Sequence, residues 1–135
     1  MARILIIEDD RVFVELMSHV LSARGHEVQA AANGVAGSQL AETQAFDAVV
    51  CDLVMPDQDG IATIRVLRKT QPDPAIIAIS GGMNQGAQSS MDYLRAAQLL
   101  GADASLKKPF LPNEFVDLLE ATIARVKAEC HKNTA

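Results

Sequence analysis

The chain has 135 residues, of which 49% are hydrophobic, and it carries a formal net charge of −5 at pH 7. This size and composition suit one compact domain with a substantial core. No apolar run is long enough to span a bilayer, and the first residues lack a secretion-signal pattern, so we expect a cytoplasmic protein without a membrane partner. The acidic balance and the absence of a basic run argue against nucleic-acid binding.

Cysteines and histidines show no metal-binding or disulfide pattern. Cys51 and Cys130 are too far apart in sequence for zinc spacing or a disulfide framework, and Cys51 is expected to be a small buried residue. The three histidines, His19, His26 and His131, are expected on the surface or on helix faces.

The first third of the chain alternates between strand and helix patterns. An apolar run at residues 4–7 precedes a segment with helical spacing of apolar residues, which ends near Gly25, a common helix stop. Residues 27–30 alternate polar with apolar and suit a strand with one covered face. A weaker helix is predicted from Asn33 to Thr43.

The middle of the chain repeats this alternation. Residues 48–51 form an apolar run that ends at Asp52, and Asp59 is placed to cap the following helix. Pro72 and Pro74 then break the chain before a further apolar run at residues 76–79.

The last third completes the pattern. A glycine-rich stretch at residues 81–86 precedes a predicted helix at about residues 89–100. A fifth strand at residues 104–107 leads to an amphipathic helix that begins after Pro112.

Alternating strands and helices predict a parallel sheet covered by helices on both faces. The first, third and fourth strands are apolar throughout, as doubly covered strands are, whereas the second and fifth are mixed and suit the edges. With right-handed crossovers, this favours the doubly wound strand order 2-1-3-4-5. Ligands of such sheets bind outside the carboxyl ends of strands one and three, where the winding direction reverses.

Polar residues follow four of the five strands at this edge of the sheet. Glu8 and Asp9 follow the first strand, Asp52 ends the third, Ser80 ends the fourth and Lys108 follows the fifth. Carboxylates this close repel one another unless a cation is present. Oxygen ligands are those that Mg²⁺ prefers, so we expect Mg²⁺ or Mn²⁺ here. Each residue alone has a structural explanation, as a strand terminator, helix cap or solvated charge, and only their joint order favours a site.

The expected chemistry is phosphoryl transfer. Asp9 and Asp52 are the expected direct metal ligands, Glu8 acts directly or through water, and the backbone carbonyl of Val54 is a further candidate. An aspartate so placed can attack a phosphoryl group and form an acyl phosphate. The metal and Lys108 would neutralise the charge of that group.

Three smaller features complete the predicted site. The Ser80 hydroxyl can bond a phosphoryl oxygen, and the small Gly81 leaves the approach open. The bond between Lys108 and Pro109 is predicted to be cis, because X-Pro bonds adopt that form far more cheaply than others. A cis bond would fix the direction of the lysine.

These motifs resemble the receiver domain of two-component response regulators. The matching stretches are ILIIEDD, CDLVMPDQDG around Asp52, Ser80 after IIAI, and Lys108, which directly precedes the proline in KKPF. The resemblance implies a flavodoxin-like doubly wound (βα)5 three-layer sandwich over residues 1–130, with residues 131–135 as a tail. It also implies Mg²⁺-dependent phosphorylation of Asp52 by a histidine kinase or histidine phosphotransfer protein.

The resemblance assigns a role to each remaining site residue. Glu8 and Asp9 match the acidic pair, Ser80 the switch hydroxyl and Lys108 the phosphate-sensing lysine. The implied protein is a phosphorylation-activated switch, not an enzyme. It is expected to be a standalone monomer or weak dimer without a DNA-binding output domain. It would signal to an unidentified downstream protein through its fourth helix, fifth strand and fifth helix.

The chain departs from the family pattern at three places. Ser105 stands where the family usually has a tyrosine or phenylalanine that swings inward on activation. The stretch from Ser80 to Lys108 is longer than usual. Val54 and Gly82 offer no side-chain group to hold an attacking water, which predicts slow to moderate self-dephosphorylation.

Two alternatives remain open from the sequence. One is a magnesium-dependent phosphatase or phosphotransferase with an aspartyl nucleophile, similar to haloacid-dehalogenase-type hydrolases. Those usually carry a second aspartate two residues after the nucleophile, where this chain has Val54. The other is a pseudo-receiver that binds partners without phosphorylation, against which the intact set of Glu8, Asp9, Asp52 and Lys108 argues.

Overall fold

Strands and helices alternate along the chain in the computed structural model, which describes residues 1–55, 58–71, 73–80 and 95–133. The elements are β1 (Arg3–Ile7), α1 (Arg11–Ala23), β2 (Glu27–Ala31), α2 (Gly34–Thr43), β3 (Ala48–Asp52), β4 (Val54–Met55), β5 (Gln58–Asp59), α3 (Gly60–Thr70), β6 (Ala75–Ser80), the helical residues 95–99 (α4), β7 (Ala104–Lys107) and α5 (Pro112–Asn133).

The main sheet has five parallel strands in the order β2-β1-β3-β6-β7. Counted among its own strands, this is the predicted order 2-1-3-4-5, which is confirmed. The apolar strands β1, β3 and β6 lie at the centre, and the mixed strands β2 and β7 lie at the edges. The short strands β4 and β5 form a separate antiparallel pair that the sequence pattern did not predict.

Alternate residues of the central strands point into two cores, one on each face of the sheet. Ile4, Ile6 and Val50 pack with α1 and α5, and the neighbouring residues Leu5 and Val49 pack with α2, α3 and α4. All of these side chains are fully buried. The fold is therefore the predicted three-layer sandwich, since each central strand is apolar on both faces.

Helix α1 ends close to Gly25, as the sequence predicts. The Asp10 side chain caps its first turn by accepting from the backbone N–H groups of Val12 and Phe13, at 3.0 and 3.3 Å. At its end, Gly25 adopts a φ of 87°, which glycine tolerates best.

Three predictions from the sequence are not confirmed in full: one stays a prediction, one lies partly outside the described residues and one is wrong. Helix α5 continues to Asn133 and so overlaps the predicted tail at residues 131–135; the division into domains stays a prediction. The predicted fourth helix is described only over residues 95–99, because its first part lies outside the described residues. The prediction for His26 is wrong, because its side chain is only 9% exposed and lies just before β2.

The Lys108–Pro109 peptide bond is cis, as predicted. Cys51 is fully buried, also as predicted. Among the helices of the described residues, none combines the length and the apolar character needed to cross a membrane.

Candidate functional site

Backbone hydrogen bonds beyond the strands hold the candidate site residues at the carboxyl edge of the sheet. The N–H of Glu8 donates to Ala31 O at 3.0 Å, so the end of β1 stays joined to β2. The N–H of Lys108 donates to Ser80 O at 2.7 Å, which joins the ends of β7 and β6. The sheet geometry therefore brings together side chains that are distant in sequence.

A glycine lets the chain fold back beneath Asp52. Gly60, the first residue of α3, donates its N–H to Leu53 O at 3.2 Å. A Cβ atom at Gly60 would collide with the backbone of Asp52 and Leu53. Only glycine permits this close approach, so Gly60 fixes how the loop after Asp52 returns to α3.

Glu8, Asp9 and Asp52 form a carboxylate cluster. One carboxylate oxygen from each lies within 4.8 Å of the others. Glu8 and Asp52 are only 3% and 5% exposed, whereas Asp9 is exposed. Two buried charges and one accessible charge of the same sign thus converge on one point.

The pKa values of two of these carboxyl groups, Glu8 and Asp9, are raised. Burial raises the pKa of Glu8 above 4.5, and the neighbouring Asp52 carboxylate adds to that rise, while Lys108 opposes it. The pKa of Asp9 is also raised, by desolvation first and then by its hydrogen bond with Glu8. Burial is thus the main cause of both shifts, and the neighbouring carboxyl groups add to it.

The cluster fits a divalent cation of the Mg²⁺ type. Oxygen ligands about 2.0–2.1 Å from one Mg²⁺ lie about 3–4 Å apart, which agrees with carboxylate oxygens within 4.8 Å of one another. All three donors are hard oxygen ligands, and Lys108 alone neutralises only part of their charge. When bound, such a cation would neutralise developing charge on a transferring group. Glu8, Asp9 and Asp52 are the residues that would hold it.

Lys108 connects the cluster to the end of β7. Its ammonium lies 2.8 Å from Glu8 Oε2 and 3.6 Å from Asp52 Oδ2, and its side chain is 20% exposed. Burial acts to lower the pKa of Lys108, but the hydrogen bond to Glu8 and the charge of Asp52 outweigh burial and raise it. Lys108 therefore remains a cation beside Asp52.

Ser80 is fully buried at the end of β6, and its hydroxyl oxygen has no hydrogen-bond partner within the described part of the chain. A buried hydroxyl without a partner carries a free-energy cost of about 1–3 kcal/mol. Ser80 lies on the strand next to Asp52, where an incoming group with oxygen acceptors would supply a partner.

The remaining predicted site residues are placed less completely. Ser105 lies on β7, and its hydroxyl accepts a hydrogen bond from Gln98 Nε2 of α4 at 3.0 Å. Val54 begins β4 and pairs with Asp59 of β5, and its carbonyl as a metal ligand stays a prediction. Gly81 and Gly82 lie outside the described residues.

An open cleft of about 350 Å³ adjoins the cluster. Its lining comes from the segment after β1, the start of α1 and the end of β2: Glu8, Asp9, Arg11, Val14, Glu15, Ala30, Ala31 and Ala32. The alanines leave space beside the exposed Asp9, so the cleft gives the cluster access to solvent and to a reacting partner.

Sequence reasoning missed two residues at or near the site. The centroid of the Phe13 ring lies 4.4 Å from the Lys108 ammonium nitrogen, although the helical spacing of Phe13 suggested only a core position. Gln98 bonds Ser105 from α4, a contact for which the sequence contains no spacing signal. Phe13 and Lys108 are far apart in sequence, and Gln98 lies on a different element from Ser105, so the tertiary fold is needed to reveal both contacts.

Comparison with known proteins places this chain in one family. The family model for the response regulator receiver domain matches residues 4–120. The response regulator MprA of Mycobacterium ulcerans (strain Agy99) is 34% identical over 127 residues, which cover 94% of this chain and 52% of MprA. The chain thus spans about half the length of the curated relatives that it matches.

Two solved structures extend the comparison. A CheY-like receiver domain protein from Methanospirillum hungatei JF-1 has a TM-score of 0.85 at 24% identity, over 96% of this chain and 98% of that one; this likeness concerns the fold alone. The receiver domain of the sensor histidine kinase PA1611 from Pseudomonas aeruginosa PAO1 has a TM-score of 0.76 at 27% identity, over 91% and 98%. That structure carries a magnesium ion in its active-site cleft.

Proposed function

The chain belongs to the response regulator receiver domain family, and we propose that it accepts a phosphoryl group on Asp52 and acts as a phosphorylation-dependent signalling switch. The observation that carries this proposal is the position of Asp52. Its buried carboxylate lies in a three-carboxylate cluster and 3.6 Å from the Lys108 ammonium. This combination provides a nucleophile, a cation site and a fixed positive charge at one point.

The proposed step transfers a phosphoryl group from a phosphohistidine of a histidine kinase or phosphotransfer protein. An Asp52 carboxylate oxygen attacks phosphorus and forms the new O–P bond. The N–P bond of the donor breaks, and its electron pair stays on the histidine nitrogen, which takes up a proton. Lys108 stabilises the negative charge on the phosphoryl oxygens. A small phosphodonor would react in the same way, with its own leaving group.

Ser80 and the metal-binding carboxylates complete the proposed cycle. The Ser80 hydroxyl, which has no hydrogen-bond partner among the described residues, would donate to a phosphoryl oxygen. The added charge would then shift a two-state surface that a downstream protein recognises. Cytoplasmic location and a monomeric or weakly dimeric state belong to this proposal as well.

The test is to incubate the purified protein with phosphoramidate and Mg²⁺ and to measure its intact mass. The wild-type protein is expected to gain the mass of one phosphoryl group, and hydroxylamine should remove it, because hydroxylamine cleaves acyl phosphates. Asp52→Asn should gain none. Asp10→Asn is the matched control: it removes a carboxylate from the same edge but keeps a side chain that caps α1.

The outcome also separates the alternatives. Continuous release of inorganic phosphate at a high rate would instead indicate an aspartyl phosphatase. A wild-type protein that gains no mass would indicate a binding module without phosphorylation. Labelling that persists in Asp52→Asn would place the acceptor elsewhere and overturn the assignment of Asp52.

A further inference from the structure

The Lys108 ammonium has two kinds of partner. Its charged partners are Glu8 Oε2 at 2.8 Å and Asp52 Oδ2 at 3.6 Å. Its third partner is the face of the Phe13 ring, with the nitrogen 4.4 Å from the ring centroid. A cation at this distance is attracted by the negative face of the aromatic quadrupole.

A metal ion bound by the carboxylates would weaken their contacts with Lys108 but would not weaken the contact with the Phe13 ring. Both carboxylates that hold Lys108 belong to the cluster that fits a divalent ion. With their charge committed elsewhere, they hold the ammonium more weakly. The Phe13 ring is no cation ligand in that cluster, so its attraction for Lys108 persists. The ring also leaves the charge of the ammonium unneutralised and available to a phosphoryl oxygen.

Packing fixes the ring from both sides. The Asp10 cap, which follows directly after the acidic pair, bonds the Phe13 N–H and sets the first turn of α1. The Phe13 and Phe110 rings form a T-shaped pair at 5.9 Å between centroids, and Phe110 stacks on the fully buried Phe115 at 5.7 Å. Phe110 lies two residues after Lys108, so the same aromatic stack braces the lysine backbone and the ring beneath its ammonium.

We propose that Phe13 is a positioning residue that holds the Lys108 ammonium beside Asp52 for phosphoryl transfer. This role rests on the proposed function of Asp52 and extends it to a residue outside the charged set. A purely structural role for Phe13 would require only apolar volume, whereas the positioning role requires an aromatic face.

The experiment compares Phe13→Leu with Phe13→Tyr and uses Phe46→Leu as the matched control. Phe46 also has a cation over its ring, with Arg3 Cζ 5.7 Å from the centroid, but Arg3 begins β1 at the opposite edge of the sheet. The phosphorylation rate constant is measured with phosphoramidate at saturating Mg²⁺. Phe13→Leu should be about 2- to 30-fold slower, in line with the strength of a cation–π contact. Phe13→Tyr and Phe46→Leu should stay within about twofold of the wild type.

A second readout does not depend on phosphorylation. In the metal-free protein, the ring current of Phe13 should shift the NMR resonances of the Lys108 side-chain methylene next to the ammonium. Phe13→Leu should abolish this shift, and Phe13→Tyr should keep it. Urea unfolding of each variant confirms that the proteins compared are folded.

The failures are distinguishable. A wild-type protein that is not phosphorylated overturns the proposed function of the site. A phosphorylated wild type with a Phe13→Leu variant of equal rate overturns only the positioning role. The same follows if Phe13→Tyr is as slow as Phe13→Leu, because then volume and shape matter and the aromatic face does not.

Discussion

The carboxyl edge and the amino edge of the parallel sheet differ in how completely their charged and polar groups are paired. At the carboxyl edge, three carboxylates converge, the pKa values of Glu8 and Asp9 are raised, and the Ser80 hydroxyl has no partner in the described residues. At the amino edge, charges are matched by opposite charges and by backbone groups. The comparison indicates that the fold is stabilised at one edge and keeps reactive, incompletely satisfied groups at the other.

Arg68 illustrates the amino edge. It donates to the carbonyl oxygens of Gly101 and Pro74 and pairs with Asp103 Oδ2 at 2.7 Å. The same Asp103 oxygen accepts from the N–H of Ile76 at the start of β6. One side chain thus ties the end of α3 to the segments that lead into β6 and β7.

His26 and Glu120 form a second matched group at this edge. His26 Nδ1 accepts from the N–H of Ala2, and Nε2 lies 2.9 Å from Glu120 Oε2. Arg24 pairs with the other oxygen of Glu120 at 3.0 Å. The hydrogen bond with His26, followed by the charge of Arg24, lowers the pKa of Glu120, which is the opposite of the shifts at Glu8 and Asp9.

The largest expected effect is on the free energy of unfolding and comes from a substitution at the amino edge of the sheet. Arg68→Ala should lower the free energy of unfolding by about 2–3 kcal/mol, a value reduced from that of a fully buried pair because Arg68 is 24% exposed. Urea unfolding measures it. Arg65→Ala, on the exposed side of the same helix, should change stability by no more than about 0.5 kcal/mol. Equal losses in both variants would contradict a special role of Arg68.

Effects of intermediate size on the free energy of unfolding are expected when either of two buried hydroxyls is removed. Ser80→Ala removes a hydroxyl that has no partner among the described residues and should raise the free energy of unfolding by about 1 kcal/mol. Thr122→Val removes a hydroxyl that donates to Leu118 O at 2.6 Å and should lower it by about 1 kcal/mol. Thermal or urea unfolding of the unphosphorylated protein gives both values. A loss of stability in Ser80→Ala would mean that its hydroxyl is satisfied.

The smallest effect is in the pH dependence of stability. A raised carboxyl pKa means that the folded, metal-free protein binds the proton more tightly, so stability falls as pH rises from 4.5 for Glu8 and 3.8 for Asp9 through the raised values. Asp9→Asn should therefore make the metal-free protein more stable near neutral pH and should reduce its stabilisation by Mg²⁺.

Glu120→Gln is the counterpart of that variant. Because the pKa of Glu120 is lowered, its contribution to stability is present above 4.5 and is lost as pH falls through the lowered value. Glu120→Gln should therefore destabilise the protein near neutral pH and have little effect in acid. Unfolding of both variants from about pH 2.5 to pH 7 provides the measurement. Shifts of the same sign would remove the electrostatic contrast between the two edges.

Sequence patterns were sufficient for the sheet and for the grouping of Glu8, Asp9, Asp52, Ser80 and Lys108 at one edge. Parallel strands with buried faces have a small set of arrangements, and their carboxyl ends must lie together. The cis bond before Pro109 was also predictable, since proline is the residue type that favours it. The antiparallel β4–β5 pair was not predicted, because strands of two residues carry no periodicity.

Fold class, strand order and the set of polar residues that meet could all be read from the sequence, because hydrophobic periodicity and chain connectivity are local properties. Which polar groups have hydrogen-bond partners depends on the three-dimensional packing. It pairs Lys108 with Glu8 and with the Phe13 ring, buries Ser80 without a described partner and removes His26 from the surface. These outcomes depend on distances of a few ångströms between residues far apart in the chain, and no spacing in the sequence encodes such distances.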